Sequence, residues 1–161
     1  MAERAWIRGA QRGSVDDLER LFRAHWPRAY RAARLVTGDS AAAEDIAQEA
    51  FLAAIRNLDR FDRRRPFGPW LHRIVVNRAI YWTRARRLRA EVELGDTVAA
   101  PAYQRNGFPD LGDLSPEHRV VIVLRFVLEY TPGEIADLLE LPRGTVNSRL
   151  RRGLDHLKEL Q

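Results

Sequence analysis

The stretch Thr131–Leu157 constrains the fold more than any other part of the chain. Thr131 can cap a helix, Pro132 suits its first position, and Glu134 stands where a capping box needs a carboxylate. Ile135, Leu138 and Leu139 give that helix a short apolar stripe, and the pattern stops near Glu140-Leu141. Pro142 opens a second helix, with Val146, Leu150, Leu154 and Leu157 at helical spacing on its buried side. Its other side carries Arg143, Thr145, Asn147, Ser148, Arg149, Arg151 and Arg152. Two short helices, a tight turn and an exposed face of Arg, Asn, Ser and Thr define a helix-turn-helix. Such side chains suit phosphate oxygens and base edges in a major groove. A solvated basic hairpin is the plainer reading. Gly144 argues against it, because its missing side chain lets backbone N–H groups approach a phosphate.

The rest of the composition narrows the class. A chain of 161 residues makes one domain or two small ones. With 45% hydrophobic residues it can bury a core, yet no apolar run is long enough to span a membrane. No signal-peptide pattern opens it, so a cytoplasmic protein without membrane insertion is expected. Cysteine is absent, which excludes disulfides, thiolate chemistry and Cys-based zinc sites. The charge of +5 favours a polyanionic partner, and Lys158 is the only lysine. Arginine is the better bidentate ligand for phosphate and guanine.

Upstream, the pattern is helical throughout. Ser14-Val15-Asp16-Asp17 reads as a helix start, followed by Leu18, Leu21, Phe22 and Trp26. Pro27 breaks or kinks that helix or opens the next, which runs toward a C-cap at Gly38. Ser40 can cap a long helix from Ala41 to about Leu58, with Ile46, Ala47, Ala50, Phe51, Ala54 and Leu58 on its core side. Asp45, Gln48, Glu49 and Leu52 fall opposite. A leucine among acids and amides fits a basic partner helix or is an ordinary exposed leucine, and the residues alone do not decide.

Arg60–Pro69 reads as a loop, and Trp70 as the start of a helix with Leu71, Ile74, Val75, Tyr81 and Trp82 apolar. Arg63, Arg64, Arg65, Arg73, Arg78, Arg84, Arg86, Arg87 and Arg89 crowd this segment, against the single acid Asp62. Arginine interleaved with aromatic rings is what single-stranded nucleic acid requires. Trp70 and Trp82 read as core rings, and Phe67, between two prolines, as the exposed one. Glu91–Asp113 has Gly and Pro without periodicity and reads as an extended linker. Ser115-Pro116-Glu117 caps another helix, with Val120, Val121, Leu124, Val127 and Leu128 packing under the helix-turn-helix.

Three segments resemble the extracytoplasmic-function sigma factors of the bacterial sigma-70 family. Tyr130–Leu157, with Glu134-Ile135-Ala136 and Pro142–Leu150, resembles their C-terminal DNA-reading domain. Ala43–Leu52 resembles the segment that grips the clamp helices of core RNA polymerase. Trp70–Ala79 resembles the region that opens and reads the −10 element. The resemblance implies an all-α protein: two small helical domains, 1–89 and 114–161, joined by a flexible linker, 90–113. It implies a subunit that binds core polymerase through the beta and beta-prime subunits, reads −35 and −10 promoter DNA and promotes opening. By it, Asp45, Gln48, Glu49 and Leu52 meet polymerase. Arg63, Arg64, Arg65, Phe67, Asn77, Arg78 and Arg84 meet the −10 element. Arg143, Gly144, Thr145, Asn147, Ser148, Arg149, Arg151 and Arg152 meet the −35 element. An anti-sigma factor is a further partner the family allows. The family usually has glycine where Glu140 stands, and a left-handed Glu140 would cost roughly 1–2 kcal/mol. Linker acids would mimic RNA charge in the polymerase cleft, although a solvated loop accounts for any one of them.

No catalytic residue, metal site or cofactor is expected. His25, His72, His118 and His156 are scattered, and no nucleophile or paired-carboxylate motif occurs. An ordinary duplex-binding helix-turn-helix regulator is the rival reading. It needs neither the Asp45/Gln48/Glu49 face nor the arginine-aromatic segment.

Overall fold

The structure, a computed structural model, describes residues 2–94 and 109–159, and among them there is no strand. Seven α-helices make up most of the described residues. The N-terminal segment forms α1 (Ala2–Gln11) and buries Ile7. Gln11 donates to the carbonyls of Leu58 (2.9 Å) and Phe61 (3.2 Å), which ties α1 to the far end of the same domain. Helix α2 (Val15–Thr37) starts where Ser14 accepts from the Asp17 N–H and ends at left-handed Gly38. It runs unbroken through Pro27, an exposed position, so the break allowed by the sequence does not occur. Ala29, Ala32, Ala33 and Val36 line its buried face, small enough for two other helices to pack closely.

Helix α3 (Ser40–Arg56) is capped by Asp39 rather than Ser40, through a 3.0 Å bond from the Ala42 N–H. Its core side is the one the periodicity gives, with Ile46, Ala47, Ala50, Phe51 and Ala54 all buried. A short 3-10 turn (Leu58–Arg60) leads to α4 (Phe67–Leu94), which starts one turn earlier than Trp70 and runs past residue 90. The expected linker therefore begins as helix. Its remainder up to residue 108 lies outside the described residues. Leu71, Val75, Val76 and Ala79 of α4 complete the first core, each such aliphatic side chain larger than alanine contributing about 1.5–3 kcal/mol.

Leu111 and Leu114 are buried ahead of α5 (Pro116–Ile122), which Ser115 caps and which runs into a π-helical turn, Val123–Val127. Val120, Val121 and Leu124 are fully enclosed. Helices α6 (Pro132–Leu139) and α7 (Arg143–Glu159) pack over them. Gly153 of α7 meets the Ile122 side chain, where an added Cβ would lie 3.2 Å from Cγ1. The buried apolar residues of both halves form one cluster, so the two helical domains lie against each other.

Candidate polymerase and promoter interfaces

The helix-turn-helix is built as its residues dictate. Thr131 Oγ1 accepts from the Glu134 N–H at 3.2 Å, and the Glu134 carboxylate accepts from the Thr131 N–H at 2.9 Å. The Thr131 backbone N–H, and after it the Thr131 hydroxyl, lower the Glu134 carboxyl from its ordinary range. Helix α6 ends at Glu140, which is left-handed (φ 56°), and the Leu141 N–H returns to the Ala136 carbonyl at 3.0 Å. The turn thus keeps the usual shape, with glutamate carrying the strain that glycine avoids.

On α7, Val146, Leu150 and Gly153 are buried. Arg143, Gly144, Asn147, Arg151 and Arg152 are exposed, and Thr145, Ser148 and Arg149 are half-buried. Nothing lies within 4 Å of a Cβ built on Gly144, so no packing inside this chain demands glycine there. Arg149 faces the start of α5, near enough to Glu117 and His118 to influence both.

In the N-terminal domain, Asp45, Gln48, Glu49 and Leu52 line the outer side of α3, all exposed. Leu52 is 55% exposed, and one turn further Ile55 borders an apolar trough of about 320 Å³ between α2 and α3. Val15, Phe22 and Phe51 also line that trough. Glu49 pairs with Arg78 of α4 at 3.1 Å.

The arginine loop is shaped by its one acid. Asp62 accepts from the Arg64 backbone N–H (3.0 Å) and from its guanidinium, while the Arg65 N–H returns to the Asp62 carbonyl. Bonds from the Arg64 side chain and backbone lower the Asp62 carboxyl, and Arg63, Arg64 and Arg65 project outward.

Two ring assignments are corrected. Phe67 is 3% exposed, enclosed by His25, Phe61 and Trp70, because the helix begins there and turns the ring inward. Phe67 supports the loop from below and offers no surface to a base. Tyr81, grouped with the apolar residues of α4, is 77% exposed. It shares a helix face with Asn77 and Arg84, at i, i+4 and i+7. The signal was in the sequence: Tyr81 sits between residues that both face outward. Asn77 is exposed, Arg78 is half-buried, and Arg84 is bound to Glu117 of the other domain, its Nε 2.8 Å from the carboxylate.

An all-α chain with one helix-turn-helix and a second, arginine-faced helical domain is a DNA-reading protein of two modules. The comparisons identify the class. The Sigma-70 region 2 family profile matches residues 21–89, and the Sigma-70 region 4 profile matches residues 111–159. The ECF RNA polymerase sigma factor SigW of Bacillus subtilis is 31% identical, across 95% of this chain and 93% of its own. The RNA polymerase sigma factor CarQ of Myxococcus xanthus is 32% identical, across 92% and 91%. Among solved structures, CnrH in complex with the cytosolic domain of CnrY superposes with a TM-score of 0.75 at 30% identity, covering 99% of this chain and 97% of that one.

The chain belongs to the extracytoplasmic-function sigma factors of the sigma-70 family. It is an RNA polymerase sigma factor, whose partners are core polymerase and promoter DNA. No described helix is long and apolar enough to cross a membrane.

Proposed function

We propose that this chain divides promoter recognition between its two domains, with each surface described above taking one partner. Residues 1–89 hold core polymerase and the −10 element, and residues 114–161 hold the −35 element. Asp45, Gln48, Glu49 and Leu52 form the polymerase face, extended by the trough beside Ile55. An acidic row ending in exposed leucine suits a helix that is basic at one end and apolar further on. Arg63, Arg65, Asn77, Arg78 and Arg84 engage the −10 strand, and Tyr81, not Phe67, is the ring on which an unpaired base stacks. Arg64, bound to Asp62, is the least available of the loop arginines.

Arg143, Gly144, Thr145, Asn147, Ser148, Arg149, Arg151 and Arg152 read the −35 duplex. The protein performs no catalysis of its own and works in the cytoplasm beside the polymerase. A solved relative of the same fold, RpoE of Bartonella quintana, is bound to the anti-sigma factor NepR, and a comparable partner is proposed here.

The observation that carries this reading is the separation of one acidic and two basic faces on different helices of one chain. The test is charge reversal. Asp45→Arg with Glu49→Arg places like charge against a basic partner and abolishes co-purification with core polymerase. Undiminished co-purification of the folded double variant removes α3 from the interface.

A further inference from the structure

We propose that α1 is a second strand-binding element, whose arginine row holds the phosphates of unpaired DNA running on from the −10 element. This rests on the reading of the Arg63–Arg65 loop and the Asn77 face as the −10 surface.

The row is Arg4, Arg8 and Arg12, all exposed and one turn apart on one side of the helix. Arg12 follows the last residue of α1, and its N–H returns to the Arg8 carbonyl at 3.2 Å, so it keeps the helical track. The opposite side buries Ile7 and packs Trp6 and Ala10 on the core, which leaves the arginines facing solvent. The acids near the row are engaged elsewhere. Glu3 pairs with His25, and Asp17, against which Gly9 packs, pairs with Arg20 at 2.7 Å. No ion pair among the described residues takes any of the three guanidinium groups.

A row of this kind works against its own helix. Like charges four residues apart repel, and Arg4 stands in the first turn, where the helix dipole disfavours a cation. No ion pair among the described residues offsets that penalty, whereas a bound polyanion does.

The position of α1 says which polyanion. Gln11, beside Arg12, donates to the carbonyls of Leu58 and Phe61, where the arginine loop begins. Glu3, beside Arg4, reaches His25, whose ring lies 5.0 Å from that of Phe67, where the loop ends. The helix therefore runs beside the loop from one end to the other, which brings its row next to Arg63 and Arg65. Four residues of helix rise about 6 Å, close to the step between successive phosphates of an extended strand. Guanidinium groups grip phosphate without regard to the base, so the row adds affinity and no sequence preference.

The test uses core polymerase assembled with this chain, and labelled single strands carrying a −10 element selected by run-off transcription. A tail of about six thymidines is added on the 5′ or the 3′ side of the element. Dissociation constants are read by fluorescence anisotropy. One of the two tails tightens binding by the parent, and that gain shrinks roughly 20-fold between about 50 and 200 mM salt, as three phosphate contacts require. Arg4→Gln with Arg8→Gln and Arg12→Gln loses the gain and lowers the slope of log affinity against log salt by about 2. Arg4→Lys with Arg8→Lys and Arg12→Lys keeps the slope.

No gain from either tail, or the same gain in the glutamine variant, overturns the proposal. So does a glutamine variant that binds core more weakly yet, at saturating core, holds the tailed strand as the parent does, because its row then meets polymerase. Asn77→Ala with Tyr81→Ala keeps the −10 reading separate. Unchanged binding of the untailed element by that variant counts against the reading, while the salt slope of the tail still decides the role of α1. Should the glutamine variant melt below the parent, Arg8→Gln alone repeats the test with a slope change of about 0.7, and an unchanged slope there overturns the proposal.

Discussion

His72 is where a single side chain couples the two domains to pH. Burial, then the charges of Arg28 and His25 on α2, push its imidazole down to about 4. The Tyr130 hydroxyl facing it is pushed up to about 12, chiefly by burial, so the phenol stays protonated. The folded chain therefore binds fewer protons than the unfolded one between pH 4 and the ordinary histidine value of 6.5. Stability from this group is fully present above pH 6.5 and is lost as pH falls toward 4. From pH 7 to pH 5 the unfolding free energy drops by about 2 kcal/mol from this residue. Urea titration at the two pH values measures it, and His72→Gln flattens the difference. An equal drop in the variant assigns the effect to other groups, of which His118, also lowered by burial, is the nearest in kind.

At the scale of the helix, α7 packs a core on one side and, in the function proposed above, meets a duplex on the other. Gly153 lets it cross α5 with Ile122 in the gap. Gly153→Val forces a branched side chain into that space and destabilises the C-terminal domain by about 2 kcal/mol, by overpacking. A thermal melt reads this as a lowered midpoint with duplex contacts unaltered below the transition. On the outer side, Arg143→Ala and Arg149→Ala weaken binding to the −35 duplex while core binding persists. An arginine on a base costs about 1–3 kcal/mol and relaxes one position, whereas one on phosphate costs affinity uniformly and flattens the salt slope. A promoter-selection assay distinguishes the two, and unchanged selection by both variants shows that another face of α7 reads DNA.

Across the molecule, what was legible followed local rules. The caps at Ser14, Ser115 and Thr131, the core side of α3 and the helix-turn-helix all depend on residues within a few positions of one another. What was not legible depended on distant partners. Phe67 reads as exposed between two prolines until the helix start and the rings of Phe61 and Trp70 enclose it. The contacts between the two domains join residues up to 100 positions apart, largely through arginines and backbone carbonyls, and carbonyls leave no mark in a sequence. The polymerase and −10 surfaces proposed here rest on the family resemblance of Ala43–Leu52 and Trp70–Ala79, and the structure adds that Tyr81 is exposed beside Asn77 and Arg84.

Together with core polymerase, this chain is proposed to open a particular promoter. Permanganate footprinting of unpaired thymines, on a promoter selected by run-off transcription with core enzyme, tests it most directly. Reactive thymines around the −10 element are expected only when core and this chain are both present. Asn77→Ala with Tyr81→Ala leaves binding to the closed duplex nearly unchanged and cuts that reactivity, each lost base contact removing about 1–3 kcal/mol. A template already melted across the −10 region restores transcription by the variant. Thymines equally reactive with the double variant, or reactive with core alone, would contradict the claim.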